Sequence, residues 1–175
     1  MKKYLMLPLF LLLPSLVNAG QINVTWHEPD KYADIEGADE SQKRFQSKTF
    51  KQFEKYFAKV AKTLPDDVTV NLKVTDLNLA GDVRYNFALH REIRLVTHVY
   101  WPMIEFDYDV KVGDKDVQSG TKSLKDMAFM DRSSAFRSSQ RPLSYETRMI
   151  SSWFKRDVTT MLDHWHKDQI AVMAD

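Results

Sequence analysis

A chain of 175 residues with 25 Lys and Arg against 24 Asp and Glu has a formal net charge of +1. It lacks the basic surplus that phosphate-backbone binding needs, so nucleic acid is excluded as the main partner. Cysteine is absent, which excludes disulfide scaffolds, thiol catalysis and cysteine-ligated zinc. Stability must come from burial, and a 43% hydrophobic, 12% aromatic composition suits one domain with a real core.

Lys2-Lys3, an apolar run from Tyr4 to Leu13, Pro14 and then Val17-Asn18-Ala19 have the layout of a secretory signal peptide. The run is too short to span a bilayer, and small residues mark a cleavage point. Cleavage is expected after Ala19, which divides the chain into a leader, 1–19, and a single domain, 20–175. Loss of Lys2 and Lys3 leaves that domain at −1, and no cysteine is there to carry lipid. A periplasmic protein that is not a lipoprotein, with no transmembrane segment after cleavage, is the expectation.

Ile22, Val24 and Trp26 alternate with polar residues as a first strand, and Glu28 to Gly37 is rich in turn formers. From about Asp39 to Leu64, Phe50, Phe53, Phe57, Val60, Ala61 and Leu64 fall within an arc of about 100°, the mark of an amphipathic helix that Pro65-Asp66-Asp67 ends. Val68, Val70, Leu72 and Val74 alternate as a half-buried strand. At Asp76 the parity changes, which predicts a bulge, a bend or the strand's end. Ala80-Gly81-Asp82 is a turn.

Glu92–Tyr100 is predicted to pair antiparallel with Met103–Val112 around Trp101-Pro102. One face then joins Ile93 with Val110, Leu95 with Tyr108, Thr97 with Phe106 and Val99 with Ile104. The other joins Glu92 with Lys111, Arg94 with Asp109 and His98 with Glu105, couples of opposite sign once His98 is protonated. The Trp-Pro corner does not suit a primed two-residue turn, so it predicts a wider loop or a cis bond. After the turn Gly113–Asp116, Val117–Ser123 returns with Val112 against Val117 and Asp107 against Lys122. Leu124–Phe129 reads as a packed connector and Met130–Arg141 as an exposed loop. Pro142 opens a last helix to about His166, with Ile150, Phe154, Val158, Met161, Leu162 and Trp165 on its core face. The order β-α-β-β-β-β-α predicts an α+β fold, a mostly antiparallel sheet with two amphipathic helices packed on one face.

The segment Val74–Asp82, followed by Ile93-Arg94, Trp101-Pro102 and Tyr145-Glu146 ahead of Met149, Trp153 and Phe154, resembles a proteobacterial family of small exported proteins known as a domain of unknown function, DUF3016. The resemblance covers most of the domain and implies a Gram-negative periplasmic setting. It implies no activity and no catalytic residues. A looser likeness, of fold only, is to helix-on-sheet envelope domains that serve as docking modules.

Several residue groups invite a functional reading. Asp76, Asn78 and Gly81 occupy calcium-loop positions, but Ala80 and Phe87 stand where further ligands belong, so a strand end with Gly81 at positive φ is preferred. Asp82, Trp101 and Pro102 complete that structural motif. No pair of histidines has chelating spacing, and neither metal nor cofactor is expected. Glu146, Trp153, Asp157 and His164 share one angle on the last helix. They suggest either a pocket with a carboxylate acid or base or salt bridges to Arg132, Arg137 and Arg141, the latter being preferred. Glu105, Asp107 and Asp109 share a strand face, each with an assigned counterion. Lys48, Lys51, Lys55, Lys59 and Lys62 form a ridge opposite the phenylalanines, suited to anionic lipid heads or an acidic partner, or simply solvated. The sequence favours a non-catalytic module binding an unknown envelope component or protein. A small hydrolase using the last helix, or a metal-binding protein, are the alternatives.

Overall fold

The structure, a computed structural model, describes residues 19–131 and 141–174, and all of the expected leader, 1–19, except Ala19 lies outside them. Strand β1 (Gln21–Trp26) leads into a 3-10 turn at Pro29–Lys31 and helix α1 (Gln42–Ala61). Strands β2 (Val68–Asn78), β3 (Asp82–Asn86), β4 (Arg91–Leu95), β5 (Met103–Val112) and β6 (Lys115–Lys125) follow. The last helix comprises α2 (Ser144–Trp153), a π turn at Phe154–Val158 and α3 (Thr159–Ala174).

The main sheet has the order β1-β2-β5-β6, and a second sheet contains only β3 and β4. β1 runs parallel to β2, with Ile22 beside Val70 and Trp26 beside Val74, so α1 supplies the crossover that a parallel pair requires. The β2–β5 and β5–β6 pairs are antiparallel. This is the expected α+β architecture.

Alternation puts Val68, Val70, Leu72 and Val74 of β2 and Ile104, Phe106, Val110 and Val112 of β5 on the helix side, all buried. Against them α1 lays Phe53 and Phe57, and the last helix lays Ile150, Trp153, Phe154, Val158 and Leu162. Trp26 stacks on Phe50 at 4.2 Å, while Trp153 packs edge-on against Phe106 at 4.9 Å. Full burial of each such side chain contributes about 1.5–3 kcal/mol. The opposite sheet face is polar: Asn23 donates to Asn71, which donates to Asp109, a ladder across three strands.

The parity switch at Asp76 is a register shift between Val74 and Asp76 in the β2–β5 pair. The proposed β4–β5 hairpin is not formed. β5 is taken on one side by β2, with Val70 opposite Val110 and Leu72 opposite Tyr108, and on the other by β6. β4 pairs instead with β3, a strand that the pattern did not predict, placing Arg94 opposite Val83. Trp101-Pro102 is therefore a wide link between two sheets, and the described residues contain no cis peptide bond. β2 outcompetes β4 because its row of buried aliphatic residues, Val68, Val70, Leu72 and Val74, matches the apolar face of β5.

The β5–β6 hairpin forms with a different register from that expected. Val112 faces Lys115, Val110 faces Gln118 and Phe106 faces Lys122, with an irregularity at Val110/Lys111. The row of acids is partnered by other groups than those assigned. Glu105 accepts from Ser123, Asp107 from Thr121 and Asp109 from Asn71. The last helix starts at Ser144 rather than at Pro142, and it runs beyond His166 to Ala174. Most of the expected Met130–Arg141 loop, including Arg132 and Arg137, lies outside the described residues.

Candidate functional site

The structural motif around Asp76 ties the N-terminal loop to the sheet. The Asp76 carboxylate accepts from the amides of Ala33 and Leu77, at 2.7 and 2.8 Å, and Asn78 donates to the Trp101 carbonyl. Gly81 has φ 89°, and a Cβ there would lie 2.7 Å from the Leu95 carbonyl oxygen. Asp82 accepts from Arg84, and Pro102 is buried with its carbonyl accepting from Asp126.

The centre of this region is a residue that the sequence placed elsewhere. Arg94 forks onto both oxygens of Asp34 at 2.8 Å and also donates to the carbonyls of Gly81 and Glu36 at 2.9 Å. A planar guanidinium can hold all four at once. It pins the N-terminal loop, the β2–β3 turn and β4 together.

Beside Arg94 lies a cavity of about 400 Å³ between the start of α1 and the start of α2, walled by Phe45, Leu79, Val96, Pro142 and Leu143. A second cavity, of about 820 Å³, continues along α1 past Tyr56 and shares Gln52, Arg141 and Leu143 with the first. The two form one groove. Lys48 and Arg141 line the first part, and Lys55, Lys59 and Arg141 the second. All four cations are exposed, and Lys48 pairs with Glu40 at 2.6 Å. Lys51 instead borders a shallow site beside Trp26 and Phe50, while Lys62 caps the C-terminal end of α1. The five-lysine ridge is therefore divided, with three of its members on the groove.

Glu146 lies at the inner end of the groove, 3% exposed, in the first turn of α2. Leu143, at φ 57°, bends the chain into the helix there, and its carbonyl accepts from Thr147. The Glu146 carboxyl accepts from the Ala80 amide at 2.8 Å. Burial pushes its pKa up, against the opposing effects of that bond, of its own amide and of the Arg94 charge.

The other members of the last-helix set are not at this groove. Trp153 is a core side chain packed on Phe106, Tyr108 and Phe154. Asp157 and His164 line a separate cavity of about 540 Å³ with Tyr108, Lys122 and Trp165. Desolvation would raise the Asp157 carboxyl, but hydrogen bonds and charge from Lys122 and Arg156, both at 2.8 Å, hold it below the ordinary carboxylate range. Asp157 and His164 lie about 16 and 27 Å along the helix axis from Glu146 at 1.5 Å per residue, and the π turn adds a change of phase to that distance. That turn inserts roughly one extra residue and shifts the helical phase by roughly 100°, so the angle common to Glu146 and His164 on a regular helix is lost. Among the described residues no three His, Asp or Glu side chains gather as metal ligands.

The sequence pointed to the lysines and to Glu146 but not to the apolar walls between them. Phe45, Leu79, Val96 and Leu143 come from four segments, and no periodicity links them. The fold and groove define a helix-on-sheet α+β domain with a lateral cleft. A family model described as a protein of unknown function (DUF3016) matches residues 20–156, and the chain belongs to that family. The groove residues named above lie inside the matched span, whereas His164 and Trp165 lie beyond it. No curated protein and no solved structure matches the chain.

Proposed function

We propose that the protein is an exported, non-catalytic binding module whose groove between α1 and α2 holds an anionic amphiphile of the cell envelope. One observation carries this reading: Lys48, Lys55, Lys59 and Arg141 border a cleft whose walls are Phe45, Leu79, Pro142 and Leu143. Exposed cations attract an anionic head, and the apolar walls give its hydrocarbon part a dry seat. Export to the periplasm is supported by the leader-like pattern of residues 1–19. A hydrolase on the last helix has less support, because Glu146 and the Asp157–His164 pair open onto different cavities.

The test is titration of the purified protein with a lysophospholipid carrying a single negative charge, kept below its micelle concentration and followed by calorimetry. Lys55→Glu/Lys59→Glu should weaken binding by at least about tenfold, and a zwitterionic lysolipid should bind more weakly than the anionic one. An affinity unchanged by the double reversal removes the groove from the account.

A further inference from the structure

The β3–β4 hairpin forms no ladder with the main sheet. A lone two-stranded ribbon is marginal in water, so it depends on its base, where Arg94 is clamped to Asp34 and Gly81, and Arg84 bonds Tyr100. At its outer end the four-residue turn Phe87–His90 joins Asn86 to Arg91, with His90 in the left-handed region at φ 51°. This arm carries an unusual burden for a surface turn. Phe87 is 81% exposed, Leu89 55% and Tyr85 50%, and Tyr85 meets Phe87 edge-on at 5.1 Å. Nothing in the core requires these side chains, and contiguous exposed apolar groups mark places of contact.

We infer that the tip of this arm, Tyr85, Phe87 and Leu89, inserts into the headgroup region of an anionic lipid bilayer. The inference goes beyond the groove reading and does not depend on it. Two observations select a lipid surface over a protein or a second copy of the chain. The first is size. Two aromatic rings of about 150–250 Å² each and one leucine, all partly covered already, fall well short of the ~800 Å² per partner of a stable protein interface. A bilayer sets no such minimum, since each inserted side chain gains burial independently.

The second is chemistry. Arg84 and Arg91 flank the tip, and although Arg84 pairs with Asp82 and Arg91 approaches Asp39 at 3.9 Å, both side chains stay more than half exposed. Phe87 and Leu89 lead at the end of the arm, and Arg91 stands one step behind them opposite Asn86. Tyr85, opposite the exposed acid Glu92, and then Arg84 follow, so apolar groups enter first with two arginines placed to meet anionic headgroups. No helix among the described residues is long and apolar enough to cross a membrane, and the proposed contact is peripheral.

The test is a tryptophan reporter at the tip. Phe87→Trp protein is mixed with phosphatidylglycerol-containing vesicles, and its emission is compared with that of the unsubstituted protein. The expected result is a blue shift and quenching by lipids brominated near the headgroup end of the acyl chain. Phe87→Asp/Leu89→Asp should keep its melting temperature and lose co-sedimentation with the vesicles by at least about tenfold. Vesicle binding without any shift at position 87 overturns the proposal and assigns the contact to another surface. So does absence of vesicle binding. A blue shift without lipid that grows with protein concentration, together with a dimeric mass by light scattering, replaces the bilayer with a second copy.

Discussion

Replacing Arg94 tests the point on which both the groove and the arm depend. Its guanidinium makes four hydrogen bonds of 2.8–2.9 Å, two of them to Asp34. Breaking a buried ion pair from one side costs about 3–5 kcal/mol. Here the side chains are 18% and 21% exposed, and partial solvation reduces the figure to about 2–3 kcal/mol. Arg94→Ala should therefore lower the free energy of unfolding by about that amount in urea denaturation followed by tryptophan fluorescence.

The cycle with Asp34→Ala then isolates the pair. A coupling of roughly 1–2.5 kcal/mol is expected for residues that share hydrogen bonds, whereas Arg94→Ala with Asp109→Ala should be additive to within about 0.5 kcal/mol. Asp109 already accepts from Asn71 on the main sheet. A larger coupling of Arg94 to Asp109 than to Asp34 would refute the topology, because it would restore the β4–β5 hairpin.

Phe53→Ala should cost about 3–5 kcal/mol in urea denaturation, and Lys55→Ala no more than about 0.5 kcal/mol, because one side chain is wholly buried and the other is exposed. Comparable losses would mean that α1 is rotated. Gly81→Ala should lower the melting temperature and cost about 1–3 kcal/mol, since φ 89° and the Leu95 carbonyl leave a Cβ neither conformation nor room. An unchanged melting temperature would show that the turn is built differently.

Glu146→Gln should change the pH dependence of stability. The folded protein holds the Glu146 proton to higher pH than the unfolded chain, whose ordinary value is 4.5. Wild-type stability from this group is thus fully present below that value and lost as pH rises through the folded-state pKa. The Gln variant lacks this loss, so as pH rises above 4.5 the stability difference should move in its favour. A difference independent of pH would show that the carboxyl ionises normally.

Much of the fold was legible because burial is periodic. Phe53 and Phe57 on α1, the alternating Val68–Val74 and the parity change at Asp76 each carry a geometric signature that no partner needs to confirm. Pairing was less legible. The acids Glu105, Asp107 and Asp109 can complement almost any cationic or amide-bearing strand, so opposite charges fitted Arg94 and His98 although β2 and β6 are the true neighbours. Charge complementarity tests a register but does not choose a partner.

Asp34 was hidden for another reason. It lies in an aperiodic loop whose position depends on the Asp76 carboxylate and on Arg94, both distant in sequence. The groove was half legible, through the lysines and Glu146. The π turn that changes the phase of the last helix leaves no pattern in the sequence, since Phe154 and Val158 are buried in either kind of turn.

The parallel seating of β1 has a consequence for how the chain reaches its native state. The residues opposite β1, Thr69 to Val74, follow it by 48 positions, so this ladder closes late relative to the local hairpins. Until it closes, the outer margin of β2 offers unsatisfied backbone groups beside Val70, Leu72 and Val74, a sticky template for another nascent chain. Self-association during refolding should therefore rise steeply when the first six strand residues are weakened, even where the finished protein tolerates the change.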